Sequence, residues 1–159
     1  MVPRTFADFA AKDRLVSGPQ KITKKEIIAF ARAYDPQAAH LKTQSKGDTL
    51  LGGIAASGWQ TAAISMRLFV ETMNVDGAMI GVAVDGLRWP KPVRPGDALR
   101  VEIKILTTRH SQKRPEFGLI RYRCITRNQE NEIVQRYLAT AILPVARGKT
   151  PKRSRKTGQ

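Results

Sequence analysis

Between Thr23 and Tyr34 the apolar residues Ile27, Phe30, Ala31 and Tyr34 recur at i, i+3, i+4 and i+7, the stripe of an amphipathic helix of about three turns. Thr23-Lys24-Lys25-Glu26 ahead of it has the Ser/Thr-x-x-Glu form of a capping box. Pro36 disfavours helical geometry at Asp35, so the helix is predicted to stop there, with the Asp35 carboxylate just beyond its last turn. A second helix is predicted from Ser57 to Met73. Ser57 is its N-cap, and Gly52 and Gly53 allow close backbone approach before it. Apolar residues fall on nearly every side of this helix (Trp59, Ala62, Ile64, Met66, Phe69, Val70), which predicts a helix wrapped by other structure. Gln60, Arg67 and Glu71 interrupt a run that is in any case short for a membrane span.

Past this helix the period changes to two. Ile80, Val82 and Val84 alternate with small residues, and Leu99, Val101, Ile103 and Ile105 alternate with Arg100, Glu102 and Lys104, the pattern of half-buried strands. Residues 117–127 and 132–143 continue it as a hairpin around the turn-like Asn128-Gln129-Glu130-Asn131, and short strands are expected within residues 4–22. The order is that of an α+β domain in which an antiparallel sheet wraps around one long central helix. His110 falls in a polar stretch, Thr107 to Pro115, read as a connection between strands.

The chain of 159 residues suits one domain with a substantial core. Its formal charge of +15 suggests nucleic acid until it is divided along the chain. Six of the cations (Arg147, Lys149, Lys152, Arg153, Arg155, Lys156) follow Ala146 with no acid among them, which leaves +9 for the rest. The organisation expected is a domain over 1–146 and a basic, disordered tail over 147–159, with any nucleic-acid contact made through the tail alone. The single cysteine, Cys124, excludes an internal disulfide and reads as a packed thiol in a reducing compartment. Residues 1–9 lack the apolar run of a signal peptide, so a cytoplasmic setting is expected. Two histidines without a cysteine cluster form no zinc pattern, and no metal is expected.

The candidate chemistry lies in Asp35-Pro36-Gln37-Ala38-Ala39-His40, just ahead of Gly52-Gly53-Ile54-Ala55-Ala56-Ser57-Gly58-Trp59. A carboxylate and an imidazole brought together can share a water molecule and move protons on and off it. The first N–H groups of a helix have no intrahelical partner and can face a developing oxyanion. Addition or removal of water beside a carbonyl is the reaction these parts suggest. Against it stands a purely local role, in which Asp35 and His40 only cap and bond nearby backbone.

These two segments, with Arg88-Trp89-Pro90-Lys91-Pro92-Val93-Arg94-Pro95-Gly96-Asp97, resemble the MaoC-like dehydratases of the single hot-dog fold over roughly residues 14–145. The resemblance implies reversible hydration of a 2-enoyl thioester, chiefly of coenzyme A, to a 3-hydroxyacyl thioester. By the same resemblance Asp35 and His40 activate the water. Ser57 is then the small polar residue at the helix entrance, and the Gly58 N–H polarises the thioester carbonyl. Coenzyme A belongs to the substrate, and no resident cofactor is implied. Arg88, Lys91 and Arg94 are candidates for its phosphates. The chain departs from the family's pattern at Gln37, Ala38, Lys42 and Gln60.

Two rivals remain at this level, an acyl-CoA thioesterase and a non-catalytic hot-dog module that binds an acyl thioester or nucleic acid. The sheet's edge strands need covering, so a homodimer or an assembly of dimers is expected.

Overall fold

The computed structural model describes residues 2–42 and 51–145; the predicted tail lies outside them. Strands β1 (Arg14–Val16) and β2 (Gln20–Lys21) precede helix α1 (Lys24–Tyr34), a one-turn helix α2 (Ala38–Leu41) and the long helix α3 (Gly58–Met73). Strands β3 (Ile80–Arg88), β4 (Ala98–His110), β5 (Phe117–Arg127) and β6 (Ile133–Pro144) follow. They form an antiparallel sheet in the order β1-β4-β5-β6-β3, with β2 added against β4. The architecture is the hot-dog fold, and α3 is the helix that the sheet curls around.

Local chemistry explains where the elements begin and end. Thr23 caps α1 with the expected box: its hydroxyl accepts the Glu26 N–H at 3.2 Å, and Glu26 Oε2 accepts the Thr23 N–H at 2.7 Å. The helix stops with Asp35 at its C-cap, one residue before Pro36. Asn74 ends α3 in the left-handed conformation, with φ 45°, a role asparagine tolerates better than most residues. Strand β4 runs on through His110, contrary to the connection read from the polar residues after Thr107. A bulge between Ile105 and Thr107 lets that polar end keep pairing with β5. His110 there meets Phe6 edge-on at 5.0 Å.

The core lies between α3 and the inward faces of β4, β5 and β6. Leu68, Phe69 and Met73 pack on Val101, Ile103, Ile120, Tyr122 and Ala139, and the Phe69 and Tyr122 rings stack at 4.6 Å. Cys124 is fully buried there, and burial pushes its thiol pKa up to about 11. The contact also has a polar strip. Ser65 Oγ donates to the Thr61 carbonyl at 2.7 Å or shares its proton with Thr126 Oγ1, also at 2.7 Å, so these fully buried hydroxyls satisfy one another.

A second expectation fails in the protomer. Helix α3 is not covered on all sides: Trp59, Met66 and Val70 remain 44–62 % exposed, and so do Ile80, Val82 and Val84 on β3 at 50–60 %. The apolar residues there are real, but a sequence cannot say whether the chain itself or a second copy covers them.

Thr23→Ala removes the hydroxyl of the α1 cap and should lower stability by about 1 kcal/mol, read as a reduced denaturation midpoint with an unchanged slope.

Candidate active site

The four residues singled out by sequence converge on one point. Asp35 stands past the end of α1, His40 in the single turn of α2, and Ser57 and Gly58 at the start of α3. Ser57 Oγ donates to Asp35 Oδ2 at 2.6 Å, and His40 Nε2 lies 3.3 Å from the same oxygen. Gln37 Nε2 donates to the other oxygen, Oδ1, at 2.6 Å.

The far side of the imidazole fixes its tautomer. His40 Nδ1 sits 2.8 Å from the Ala55 carbonyl oxygen, which can only accept, so Nδ1 carries a proton. On the other side of the ring Nε2 faces the Asp35 carboxylate, so the two groups can pass a proton between them or exchange it with a water molecule.

Two clasps hold the chain between α2 and α3 in place. The Ala55 N–H donates to the Ala39 carbonyl at 3.1 Å, and the Ala56 N–H to the Val93 carbonyl at 2.8 Å. Arg94 reaches back from the Pro92–Asp97 turn to donate to the carbonyls of Gly53 at 3.0 Å, Ile54 at 3.2 Å and Leu51. Asp97, buried, accepts the Arg94 N–H at 2.7 Å and the Gln129 amide at 3.0 Å. The Pro-Val-Arg-Pro-Gly-Asp segment is therefore both a turn between strands and a brace for the site.

Ser57 has a second bond, accepting the Trp59 N–H at 3.2 Å as the N-cap of α3. The Gly58 N–H, first in the helix, has no hydrogen-bond partner among the described residues. Trp89 explains why residue 58 is glycine: a Cβ there would come within 2.8 Å of the indole. That ring is anchored by its Nε1–H donating to Gln135 Oε1 at 2.8 Å, and it meets Trp59 edge-on at 5.4 Å. A cavity of about 260 Å³ opens here, bordered by His40, Gly58, Trp89 and Lys91.

The three basic residues predicted for phosphate binding do not come together. Arg94 is engaged on the backbone carbonyls, and Lys91 borders the cavity while paired with Glu132. Arg88, at the end of β3, faces Arg136 across the sheet. Gln60, a departure from the family pattern, is buried, with no partner for its Oε1 among the described residues. Lys42 is exposed at the C-cap of α2. Gln37, Trp89 and the Ala55 carbonyl contribute to the site without having been assigned a role from sequence. Gln37 was visible only as a departure two positions from Asp35, and no sequence signal marks a carbonyl.

Fold and site together define a hydratase or dehydratase of the hot-dog class. A sequence profile of the MaoC like domain matches residues 6–126, and the chain belongs to that family. It is 39 % identical to a MaoC-like dehydratase from Rhodospirillum rubrum, with TM-score 0.81 over 89 % of this chain and 97 % of that one. It is 33 % identical to the uncharacterized protein YdeM of Bacillus subtilis, over 69 % of this chain and 77 % of the relative. The R-hydratase PhaJ1 of Pseudomonas aeruginosa shares the fold at TM-score 0.72 and 21 % identity, over 89 % of this chain and 86 % of that one.

The Ser57 hydroxyl, followed by the Gln37 amide and, more weakly, His40, lowers the Asp35 pKa, while partial burial opposes them. Asp35 therefore stays ionised below the ordinary carboxylate range, and stability drawn from these bonds is lost only as pH falls through that depressed value. Ser57→Ala removes the largest of these contacts. The acid limb of the pH–rate profile should move to higher pH in this variant while the alkaline side stays in place.

Gly58→Ala should displace the Trp89 indole and misplace the adjoining N–H. A fall of about 10²-fold in turnover, with the fold retained by circular dichroism, is the expected result.

Proposed function

We propose that this chain is a hydro-lyase that reversibly hydrates a 2-enoyl thioester, with coenzyme A as the carrier, to a 3-hydroxyacyl thioester. The observation that carries the reading is the convergence of a carboxylate held ionised and the imidazole Nε2 of His40, 3.3 Å apart, beside the Gly58 N–H at the start of α3. Water held by Asp35 and His40 Nε2 gives up one proton to the pair as its oxygen adds to C3. A proton from the pair then goes to C2, so one water is consumed and both groups return to their starting states. The negative charge that passes onto the thioester oxygen is met by the Gly58 N–H, a fixed donor of the kind whose removal costs about 10²–10³ in rate. Lys91 at the cavity mouth is the predicted cation best placed for the carrier's phosphates. The reaction needs no resident cofactor. A cytoplasmic setting belongs to the same reading and is in keeping with a buried cysteine kept as a thiol.

A thioesterase acting through an acyl-enzyme is the weaker reading. Ser57 is 1 % exposed, donates to Asp35 and caps α3, so its hydroxyl is not presented for attack on a carbonyl. The two activities separate in one cuvette. Hydration removes the conjugated enoyl absorbance without releasing thiol, and thioester hydrolysis does the reverse.

With 2-enoyl-CoA substrates, Asp35→Asn and His40→Ala should each lose most of the hydration rate, by about 10²-fold or more, while remaining folded. Near-normal turnover in either folded variant would remove the catalytic assignment.

The working unit in this reading is a homodimer. Among the described residues strand β3 ends the sheet with its outer edge unpaired, and its Ile80, Val82 and Val84 are left exposed in the protomer, as are Trp59, Met66 and Val70 of α3. Val82→Lys with Val84→Lys should shift the mass in light scattering from dimer to monomer; a wild-type monomer with full activity would refute the dimer.

A further inference from the structure

The positive charge of the folded body is gathered on one surface, the face of the sheet turned away from α3. Strand register places nine cations on this outer face against the two carboxylates Asp85 and Glu102. One cross-strand row holds Arg14, Lys104 and Arg123 on three adjacent strands, and the neighbouring row sets Arg136 directly opposite Arg88. Two carboxylates absorb only part of this charge: Glu102 pairs with Arg127 at 3.0 Å and Arg100 at 3.6 Å, and Asp85 with Arg121 at 3.6 Å. Arg109 adds one more cation beyond the bulge of β4. The side chains of Arg14, Lys104, Arg123, Arg136 and Arg88 have no ion pair or hydrogen bond among the described residues.

Like charges directly opposite one another across a ladder destabilise a sheet. Five unneutralised cations in two adjoining rows therefore work against folding, and a solvated surface would be served as well by mixed charge. Two shallow depressions lie along the rows and share Arg123. One of about 350 Å³ includes Arg14 and Lys104, and one of about 400 Å³ includes Arg88 and Arg136. Together they form a continuous basic track from β1 to β3. At about 4.8 Å per strand the five-strand order gives the track a length of roughly 19 Å.

We propose that this face binds the phosphate backbone of a nucleic acid strand, independently of the catalytic site and without reading its sequence. Four of the five free cations are arginines, whose planar guanidinium matches phosphate oxygens bidentately. An extended track fits a chain of regularly spaced phosphates better than the compact phosphate cluster of a single carrier molecule. No tryptophan, tyrosine or phenylalanine shares the rows, so there is no platform on which bases would stack. A lipid surface fits less well, because membrane-seeking faces combine cations with large apolar side chains. Here Trp59, Met66 and Val70 lie exposed on α3, on the opposite side of the sheet, and among the described residues Val16 is the one exposed large apolar side chain lining either depression.

The test uses the full chain and a fluorescein-labelled single-stranded oligonucleotide, followed by anisotropy between about 50 and 200 mM salt. The wild type should bind with a log–log salt slope of roughly −3 to −4, the release expected when about five phosphates are neutralised. Arg14→Gln/Lys104→Gln/Arg123→Gln should weaken binding at least tenfold and reduce the slope by about 2. Its thermal midpoint should be unchanged or higher, and hydration of enoyl-CoA should be unaffected.

Arg88→Gln/Arg136→Gln should give a smaller loss of the same kind. Failure of the wild type to bind at the lowest salt would overturn the proposal. Unchanged affinity in the triple variant would do so too, placing the binding on residues 147–159. Displacement of the oligonucleotide by free coenzyme A at substrate concentrations would reassign the face to the carrier's phosphates. Charge-dependent capture by anionic vesicles in the absence of oligonucleotide binding would reassign it to lipid. The binding outcomes do not depend on whether the hydro-lyase reading holds.

Discussion

A single residue, Ala55, ties the parts of the candidate site together. Its N–H donates to Ala39 in α2, and its carbonyl receives the His40 Nδ1 proton. The residue that carries the imidazole and the segment that begins α3 are thus locked to each other through two bonds on one alanine. Because the carbonyl selects the tautomer, the chemistry available at Nε2 is decided by backbone position and not by a further side chain. Asp35 enters from the other direction, on the end of α1, and meets Ser57, which is both its hydrogen-bond donor and the cap of α3. Loss of register in any of the three helices would separate the acceptors facing the site.

The extent to which this was legible in sequence follows from the range of each signal. Periodicity and capping are local, and α1, β5 and β6 emerge within a residue or so of expectation, with Thr23 and Ser57 as the caps. The hot-dog architecture followed from the order of the elements together with the quoted motifs. Asp35, His40, Ser57 and Gly58 meet as that resemblance implied. What was missed depends on distant contacts. Arg94 looked like a phosphate ligand because a free guanidinium and one bonded to three carbonyls read alike in sequence. Polar residues after Thr107 suggested a loop, whereas a bulge carries them on as strand. The need for glycine at 58 comes from Trp89, 31 positions away.

The sheet separates two kinds of surface. Its inner face and the helices on that side contain the core, the candidate acid–base pair of Asp35 and His40, and a set of apolar residues left open in the protomer. Its outer face carries the charge. Such a partition limits interference, since phosphate-seeking cations placed around Asp35 would compete for the carboxylate and alter its ionisation. It also bears on assembly: two outer faces of this kind repel one another, which disfavours stacking of sheets back to back and leaves the apolar side as the favourable contact.

Arg4 donates to the carbonyls of Thr72 and Met73, and Arg14 pairs with Lys104, so the N-terminal arm closes over structure made much later in the chain. Strands β4, β5 and β6, by contrast, are joined in sequence by short turns and can pair as soon as they exist. On the ribosome the half that holds the candidate site emerges first, and Leu68, Phe69 and Met73 await a sheet that is complete only when Pro144 has been added. At usual elongation rates that interval is on the order of ten seconds. The nascent chain passes through a stage in which its most apolar helix has no sheet to rest on.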